Sequence, residues 1–480
     1  MDKQASQISD AYDSVSFLSD PGFEVRGTPL HLGRHTVTFE MVSPGTVVRT
    51  SEVLNEFRVR LRNRTAYAGR ATTTAVTQAG TQTVCVVSLE GDWMEPGLPG
   101  QITEPAEASG AFDGFLDYWQ KYYHVHPDFK VVVADLHTFL ADLRLWSEQI
   151  EAGNRSPPDR SGGDLELAQS LGKRTTATLN TFFEKFEQAA ARTEEEWRPA
   201  SRMFARRQLH SLLLCAPFLH RTYRKPLGYA GDYEMVNMIS RDPFEGGSLF
   251  AKLVNLWFLE QPPAEAHRNR LESLEQRINE AAIRAINGGR KARVLSLGSG
   301  SAVEVQRFLA KHRHADQVEF TLLDFNEETL AHARARMEEI KRLHHRTSPI
   351  EYTKKSVNSI LKDGARTVAR PPLQQYDLVY CAGLFDYLSD NVCRRLSSLL
   401  YEWVRPGGVF LSTNVHTSNP WPMVMDFIME WHLIYRTAQR LLDTRPQQSL
   451  IEDCTVGSDL SGVNIYLEAR KSELVQRDSK

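Results

Sequence analysis

From Arg293 to Glu304 the chain changes its hydrophobic period twice. Val294 to Leu297 is an unbroken apolar run, the pattern of a parallel strand buried on both faces. It stops at Gly298-Ser299-Gly300, and from Ala302 the spacing turns helical. Strand, glycine turn and helix N-terminus together predict a cradle for a nucleotide-type ligand at the carboxyl end of a sheet strand. The alternation of apolar runs and helical stretches then repeats. Glu319 to Leu323 is a second strand ending in Asp324, Thr329 to Arg342 a helix, and Ile350 to Tyr352 a third strand with Ser356-Val357-Asn358 beyond its end. Tyr376 to Cys381 is the fourth strand and Gly408 to Thr413 the fifth, entered through Arg405-Pro406-Gly407. Such βα repetition predicts a parallel sheet. Ser449 to Thr455 and Val463 to Ala469 flank Gly457-Ser458-Asp459 with hairpin spacing, so an antiparallel pair closes it.

The first half has other rhythms. Thr36 to Glu40 and Phe57 to Leu61 alternate, and Gly69 to Val76 and Thr81 to Val87 pair around Gln78-Ala79-Gly80. These predict a small antiparallel barrel or sandwich over residues 21–98, after a flexible terminus at 1–20. Arg58, Arg60, Arg62 and Arg64 share one face, either a solvated basic surface or a ligand contact. Residues 99–110 read as a linker and 111–272 as a helical domain. Its aromatic stripe, Phe112, Phe115, Leu116, Trp119 and Tyr122-Tyr123, is read as helix core. The sheet domain takes 273–475. The fold class is multidomain α+β: small barrel, helical region, Rossmann-like C-terminal sheet.

Composition narrows the partners. The 480 residues are 41% hydrophobic and 24% charged with a formal net charge of −3, so no basic excess points to nucleic acid. The N-terminus lacks the pattern of a secretory signal, and no apolar stretch is long enough to span a bilayer. Five cysteines without CxxC spacing predict reduced thiols, no metal site and a cytoplasmic protein.

Two stretches carry candidate chemistry. Asp324 is placed to accept both ribose hydroxyls of a nucleoside ligand, the alternative being an ordinary turn with a helix-capping aspartate. His220 to Glu234 mixes glycines, a proline and three tyrosines with charge, which suits a fixed loop over a ligand as well as a connection between helices. In the first case Tyr229 or Tyr233 supplies a hydroxyl and Arg224 a carboxylate fork, while Tyr223, Gly228 and Asp232 border the substrate.

On these motifs, residues 290–470 resemble a class I S-adenosylmethionine-dependent methyltransferase. VLSLGSGSA is similar to the first motif of that family, LLDF to its ribose-binding position, YDLVYCAGLFDYL to its fourth-strand motif and VRPGGVFLSTNV to its fifth. The resemblance implies strand order 3-2-1-4-5-7-6 with strand 7 antiparallel. It also implies Gly298, Ser299 and Gly300 against the methionine portion of S-adenosylmethionine, Glu304 near its amino group, Asp324 on the ribose, and Ser356 with Val357 at the adenine. Ser296 and Ala302 depart from the family pattern, which often has an acid and a glycine there. The N-terminal strands are similar in size and rhythm to PilZ-like barrels, without that family's ligand motifs, which implies a degenerate, non-binding copy.

GYAGDYE, ahead of the methyltransferase motifs, resembles the bacterial extracellular-factor 3-hydroxypalmitic acid methyl ester biosynthesis proteins. That likeness implies methyl transfer to a 3-hydroxy fatty acid carboxylate, giving a diffusible cell-to-cell signal. A carboxylate is ionised near neutral pH and needs positioning more than a base. His416 serves as general base only for a hydroxyl, phenol or amine acceptor. Tyr387, Asn414 and Trp421 follow strand ends and complete the substrate mouth. Phe218, Leu384, Phe385, Phe427 and Trp431 are candidates for an apolar trench. An N-methyltransferase for a small amine and a non-catalytic sensor with the same fold stay open, as do monomer and homodimer.

Overall fold

The computed structural model describes residues 13–19, 23–42, 46–61, 64–79, 82–90, 105–153, 163–366 and 375–473. They form two compact units. The first holds the chain up to Ala230, with Phe244–Trp257 and Trp421–His432. The second holds Gly231–Pro243, Phe258–Pro420 and the chain from Leu433.

Six strands open the first unit: β1 (Ser14–Ser19), β2 (Phe23–Leu32), β3 (Thr36–Met41), β4 (Val53–Leu61), β5 (Arg64–Ala79) and β6 (Gln82–Leu89). They close into an antiparallel barrel of order β1-β2-β3-β6-β5-β4, with β4 returning to β1. Alternation builds it. Val37, Phe39 and Met41 on β3 and Phe57 and Val59 on β4 point inward, and Phe17, Phe39 and Phe57 meet with ring centroids 5.8–6.4 Å apart. Arg58 and Arg60 are exposed, and Arg58 pairs with Glu56 at 3.0 Å. Arg62 lies outside the described residues. The expectation of a loose stretch up to residue 20 needs correction: Val15 and Phe17 face the core, and β1 pairs both β2 and β4 to remove the barrel's edges.

The helices in chain order are α1 (Pro105–Tyr122), α2 (Pro127–Gly153), α3 (Gly163–Ala191), α4 (Arg198–Leu213), α5 (Pro217–Arg224), α6 (Tyr233–Ser240), α7 (Leu249–Glu260) and α8 (Pro262–Asn287). They continue as α9 (Val303–Lys311), α10 (Glu327–His344), α11 (Val357–Arg366), α12 (Asp390–Trp403), α13 (Pro422–Phe427) and α14 (Ala438–Leu442). No helix among the described residues is long and apolar enough to cross a membrane. The stripe on α1 is not core: Phe112 is 58% and Trp119 43% exposed. The helical core lies deeper, where Phe183 stacks on Trp257 at 3.9 Å and Phe427 packs edge-on against Phe129 and Phe186.

A buried ionic cluster ties Trp421–His432 into this first unit. Arg202 meets Asp426 at 2.6 Å, Arg206 and Lys225 meet Glu430 at 2.9 and 3.3 Å, and His432 meets Asp426 at 2.9 Å. From the barrel, Thr72 donates to Glu430 at 3.2 Å and Ser51 Oγ donates to the His432 carbonyl at 3.0 Å.

The second unit is a seven-stranded sheet of β7 (Ala292–Leu297), β8 (Val318–Asp324), β9 (Ile350–Lys354), β10 (Tyr376–Cys381), β11 (Val404–Val415), β12 (Cys454–Ser458) and β13 (Asn464–Arg470). Its order is β12-β13-β11-β10-β7-β8-β9, with β13 antiparallel to both neighbours and the central pairs parallel. Every residue of β10 is buried, as expected of a central parallel strand. The first tail strand begins later than its apolar run suggested: Leu450 and Ile451 are exposed where a short 3-10 turn (Ile451–Asp453) begins, and pairing starts at Cys454.

Candidate functional site

The sheet reverses its order between β7 and β10: the chain steps from β7 outward to β8 and β9, then returns to the other side of β7. At such a switch point the loops leaving the two strands separate and open a crevice at their carboxyl ends. Here the loops are Gly298–Ala302 and Ala382–Leu384, and Leu384 Cδ2 lies 3.7 Å from where a Cβ on Gly298 would sit.

The glycine turn is demanding. Gly298, Gly300 and Ala302 have φ of +66°, +54° and +49°, a run that two glycines make accessible and that strains Ala302. A Cβ on Gly300 would meet nothing within 4 Å, so its bare backbone borders open space. The turn is held from the next strand: the amides of Gly298 and Ser299 donate to the Leu323 carbonyl at 2.8 and 3.1 Å. The Asp324 carboxylate, 4% exposed, accepts the Gly300 amide through Oδ2 and the Asn326 amide through Oδ1, both at 3.0 Å. Ser299 Oγ and Ser301 Oγ are buried without a hydrogen-bond partner among the described residues. A positive-φ glycine beside open space, unspent serine hydroxyls and a buried carboxylate fit a ribose-bearing ligand.

The other wall is built from α8, β10 and β11. The Gly383 amide donates to Thr413 Oγ1 at 2.9 Å, fixing the turn after β10 to β11. Arg270, on α8, lies over that turn, its guanidinium nitrogen 3.1 Å from where a Gly383 Cβ would be. Its Nη2 donates to His267 Nδ1 at 2.6 Å. Burial, then Arg270, Arg268 and Arg307, hold His267 well below its ordinary pKa, as a neutral acceptor. Burial pushes Asp386 up to about 6 despite Arg270, the Val415 amide and Arg436. Sequence reasoning overlooked Arg270, because nothing in a charge-rich helix marks the one arginine that reaches a loop more than 100 residues downstream.

The expected site residues fall as follows. Glu304 is buried, with Oε1 accepting the Tyr380 hydroxyl at 2.6 Å and burial pushing its carboxyl up, so it serves the interior of the sheet. Ser356 accepts the Ser359 amide at 3.2 Å as the cap of α11, with Val357 next to it, both half-buried after β9. Asn414 is fully buried. Its amide donates to the Val415 and Ile434 carbonyls at 2.9 Å each, and its oxygen accepts from Arg436, leaving no donor for a substrate. His416 Nδ1 accepts the Ser418 amide at 3.2 Å, so a neutral ring carries its proton on Nε2. Tyr387 ends the short 3-10 turn after β10 and is half-buried.

The tyrosine-glycine loop is divided. Tyr223, Arg224, Gly228 and Tyr229 belong to the first unit, and Asp232 with Tyr233 to the second. Gly228, at φ +82°, gives its carbonyl to the Val53 amide at 2.8 Å. Tyr229 bridges Glu52 through its backbone, with the Arg49 guanidinium 5.6 Å from its ring centroid. Arg224 is exposed, and its carbonyl accepts from Arg70 at 2.6 Å. Tyr223 packs edge-on against His210 beside the ionic cluster. Asp232 caps α6 through the Met235 amide, and Tyr233 donates to Glu328 on α10 at 2.9 Å. Trp421 stands edge-on to Trp257 in the helical core of the first unit. Phe218, Phe385 and Phe427 are buried core residues, not the walls of a trench.

Residues 295–410 match a family described as a methyltransferase domain. In domain numbering the sheet reads 3-2-1-4-5-7-6 with strand 7 antiparallel, as the motifs implied. The second unit has the class I methyltransferase fold. S-adenosylmethionine is the cofactor that goes with it. Among solved structures, the chain is similar to a possible exported protein from Bordetella parapertussis at 15% identity and TM-score 0.40, over 66% of this chain and 99% of that one. A methyltransferase from Thiobacillus denitrificans in complex with S-adenosyl-L-homocysteine aligns at 19% identity and TM-score 0.22, over 31% of this chain and 48% of its own. Magnesium protoporphyrin IX methyltransferase from Synechocystis PCC 6803 aligns at 10% identity and TM-score 0.33, over 53% and 98%. No curated protein matches the chain.

Proposed function

We propose that the protein is an S-adenosylmethionine-dependent O-methyltransferase that esterifies the carboxylate of a 3-hydroxy fatty acid, giving a neutral, diffusible product. The observation that carries the methyltransferase reading is the buried Asp324 carboxylate fastened to the Gly300 amide at the switch point of the sheet. S-adenosylmethionine supplies an electrophilic methyl group. Backbone at Gly298 and Gly300 allows its close approach, Asp324 accepts ribose hydroxyls, and Ser356 with Val357 borders the base.

A carboxylate acceptor arrives ionised, so the protein's task is to align one oxygen and exclude water. Arg224 and the Tyr229 hydroxyl are assigned to hold the other oxygen, and Tyr387 to border the mouth. His416 has a part only if the acceptor carries a proton to remove. Five unpaired cysteines support a reducing compartment such as the cytoplasm. The test is incubation with methyl-labelled cofactor and a panel of acyl, hydroxy and amino acceptors, followed by mass analysis. Label recovered as a base-labile methyl ester is the expected result. Label on nitrogen, or on an alcohol in preference to a carboxylate, overturns the acceptor assignment, and absence of transfer to every acceptor overturns the enzyme.

A further inference from the structure

Beside the turn that leaves β10 lies a guanidinium that, among the described residues, pairs with no carboxylate. Arg270 projects from α8 and is half-buried. Among the described residues its guanidinium has one hydrogen-bonding partner, the neutral His267, and no carboxylate within ion-pair distance. Holding a guanidinium away from water without a contacting anion is unfavourable, and a second, charge-assisted partner would offset that cost. Its position is equally particular. It lies against the Gly383 turn, where φ is +81° and a side chain would strike the guanidinium at 3.1–3.3 Å. That turn leaves β10, the strand beside β7, and its next residue, Leu384, touches the space over Gly298.

We propose that Arg270 binds the carboxylate of the cofactor's amino-acid portion, as the electrostatic counterpart of Asp324 across the crevice. This rests on the cofactor reading given above. Asp324 lies on the β8 side of the glycine turn and accepts hydrogen bonds. Arg270 lies on the β10 side and donates them. A ligand spanning the turn with hydroxyls at one end and a carboxylate at the other satisfies both. His267 is a positioning residue: its Nδ1 occupies one guanidinium N–H and sets the plane of the fork, leaving the remaining N–H groups for the anion.

The test is calorimetric titration of the full chain with two ligands that differ only at the relevant end. S-adenosylhomocysteine carries the amino-acid carboxylate, and 5′-methylthioadenosine lacks it. Arg270→Gln is expected to weaken the first by about 10- to 100-fold, the range of a charge-assisted pair, and the second by less than about twofold. Arg270→Lys should recover part of the loss. An unchanged affinity for S-adenosylhomocysteine in Arg270→Gln, or an equal loss for both ligands, overturns the assignment and leaves the cofactor reading standing. Failure of the unaltered protein to bind either ligand overturns both.

Discussion

Asp324 Oδ2 lies 3.0 Å from the Gly300 amide, so the carboxylate that closes one strand holds the turn that follows its neighbour. One side chain therefore sets the shape of the glycine turn, and under the proposed function it also binds the ribose. Asp324→Ala should remove both effects and weaken S-adenosylhomocysteine by about 100-fold, two charged hydrogen bonds lost together. Asp324→Asn keeps one acceptor and should fall between. Titration calorimetry reads the order, and equal affinities across the three proteins would refute the role.

Gly300→Ala separates strain from crowding. At φ +54° the added Cβ costs about 1–2 kcal/mol, yet it meets no protein atom within 4 Å. A modest drop in Tm is expected, with a larger loss of cofactor affinity because the methyl group enters space the ligand needs.

Asp386 gives the sheet unit a pH signature. Burial raises its pKa to about 6, so the folded protein binds more protons there than the unfolded chain between about pH 4 and 6. That contribution to stability is present at acid pH and is lost as pH rises through about 6. Asp386→Asn keeps an oxygen for the Val415 amide and carries no charge to bury. Its Tm should exceed that of the parent at pH 7.5, with the gap closing below pH 5, as followed by differential scanning calorimetry across that range.

The ionic cluster predicts the opposite sign in the first unit. Burial alone would raise Glu430, but Arg206, Lys225 and His432 outweigh it and hold the carboxyl far below the ordinary range. The stability this gives is fully present above about pH 4.5 and is lost as pH falls. Glu430→Gln and Lys225→Met should each cost about 3–5 kcal/mol by stranding a buried partner, whereas the double variant should cost less than their sum. Denaturant unfolding measures the coupling.

Tyr229→Phe is a clean probe of one hydroxyl, since the backbone bridge to Glu52 and the ring beneath Arg49 both survive it. Under the proposed role, turnover should fall about 10-fold with cofactor affinity unchanged, a loss appropriate to one hydrogen bond made to the reacting carboxylate. Turnover equal to the parent's would remove Tyr229 from the reaction.

The sheet was readable along the chain because parallel strands buried on both faces leave unbroken apolar runs, such as Val294–Leu297, ending in glycine. The barrel was readable from its alternation, except for β1, where Val15 and Phe17 are too few to stand out among polar neighbours. What local pattern cannot carry is partnership at a distance. Arg206 and Glu430 are 224 residues apart, and their pairing helps to hold Trp421–His432 in the first unit. Asn414 looked like a substrate contact because it follows a strand, and only the buried Arg436 shows its amide to be fully engaged. Phe112 and Trp119 show the converse, a helical stripe at core spacing that lies open.

The path of the backbone has a practical corollary. An expression fragment starting at Gly231 would keep every motif of the cofactor fold, yet it would also keep Asp426, Phe427 and Glu430 while discarding Arg202, Arg206, Lys225 and Phe186. Two acids and an aromatic ring would be orphaned on a tether between strands five and six. Engineers wanting the cofactor fold alone should excise both Phe244–Trp257 and Trp421–His432 and splice across each gap, because dividing this protein takes more than one cut.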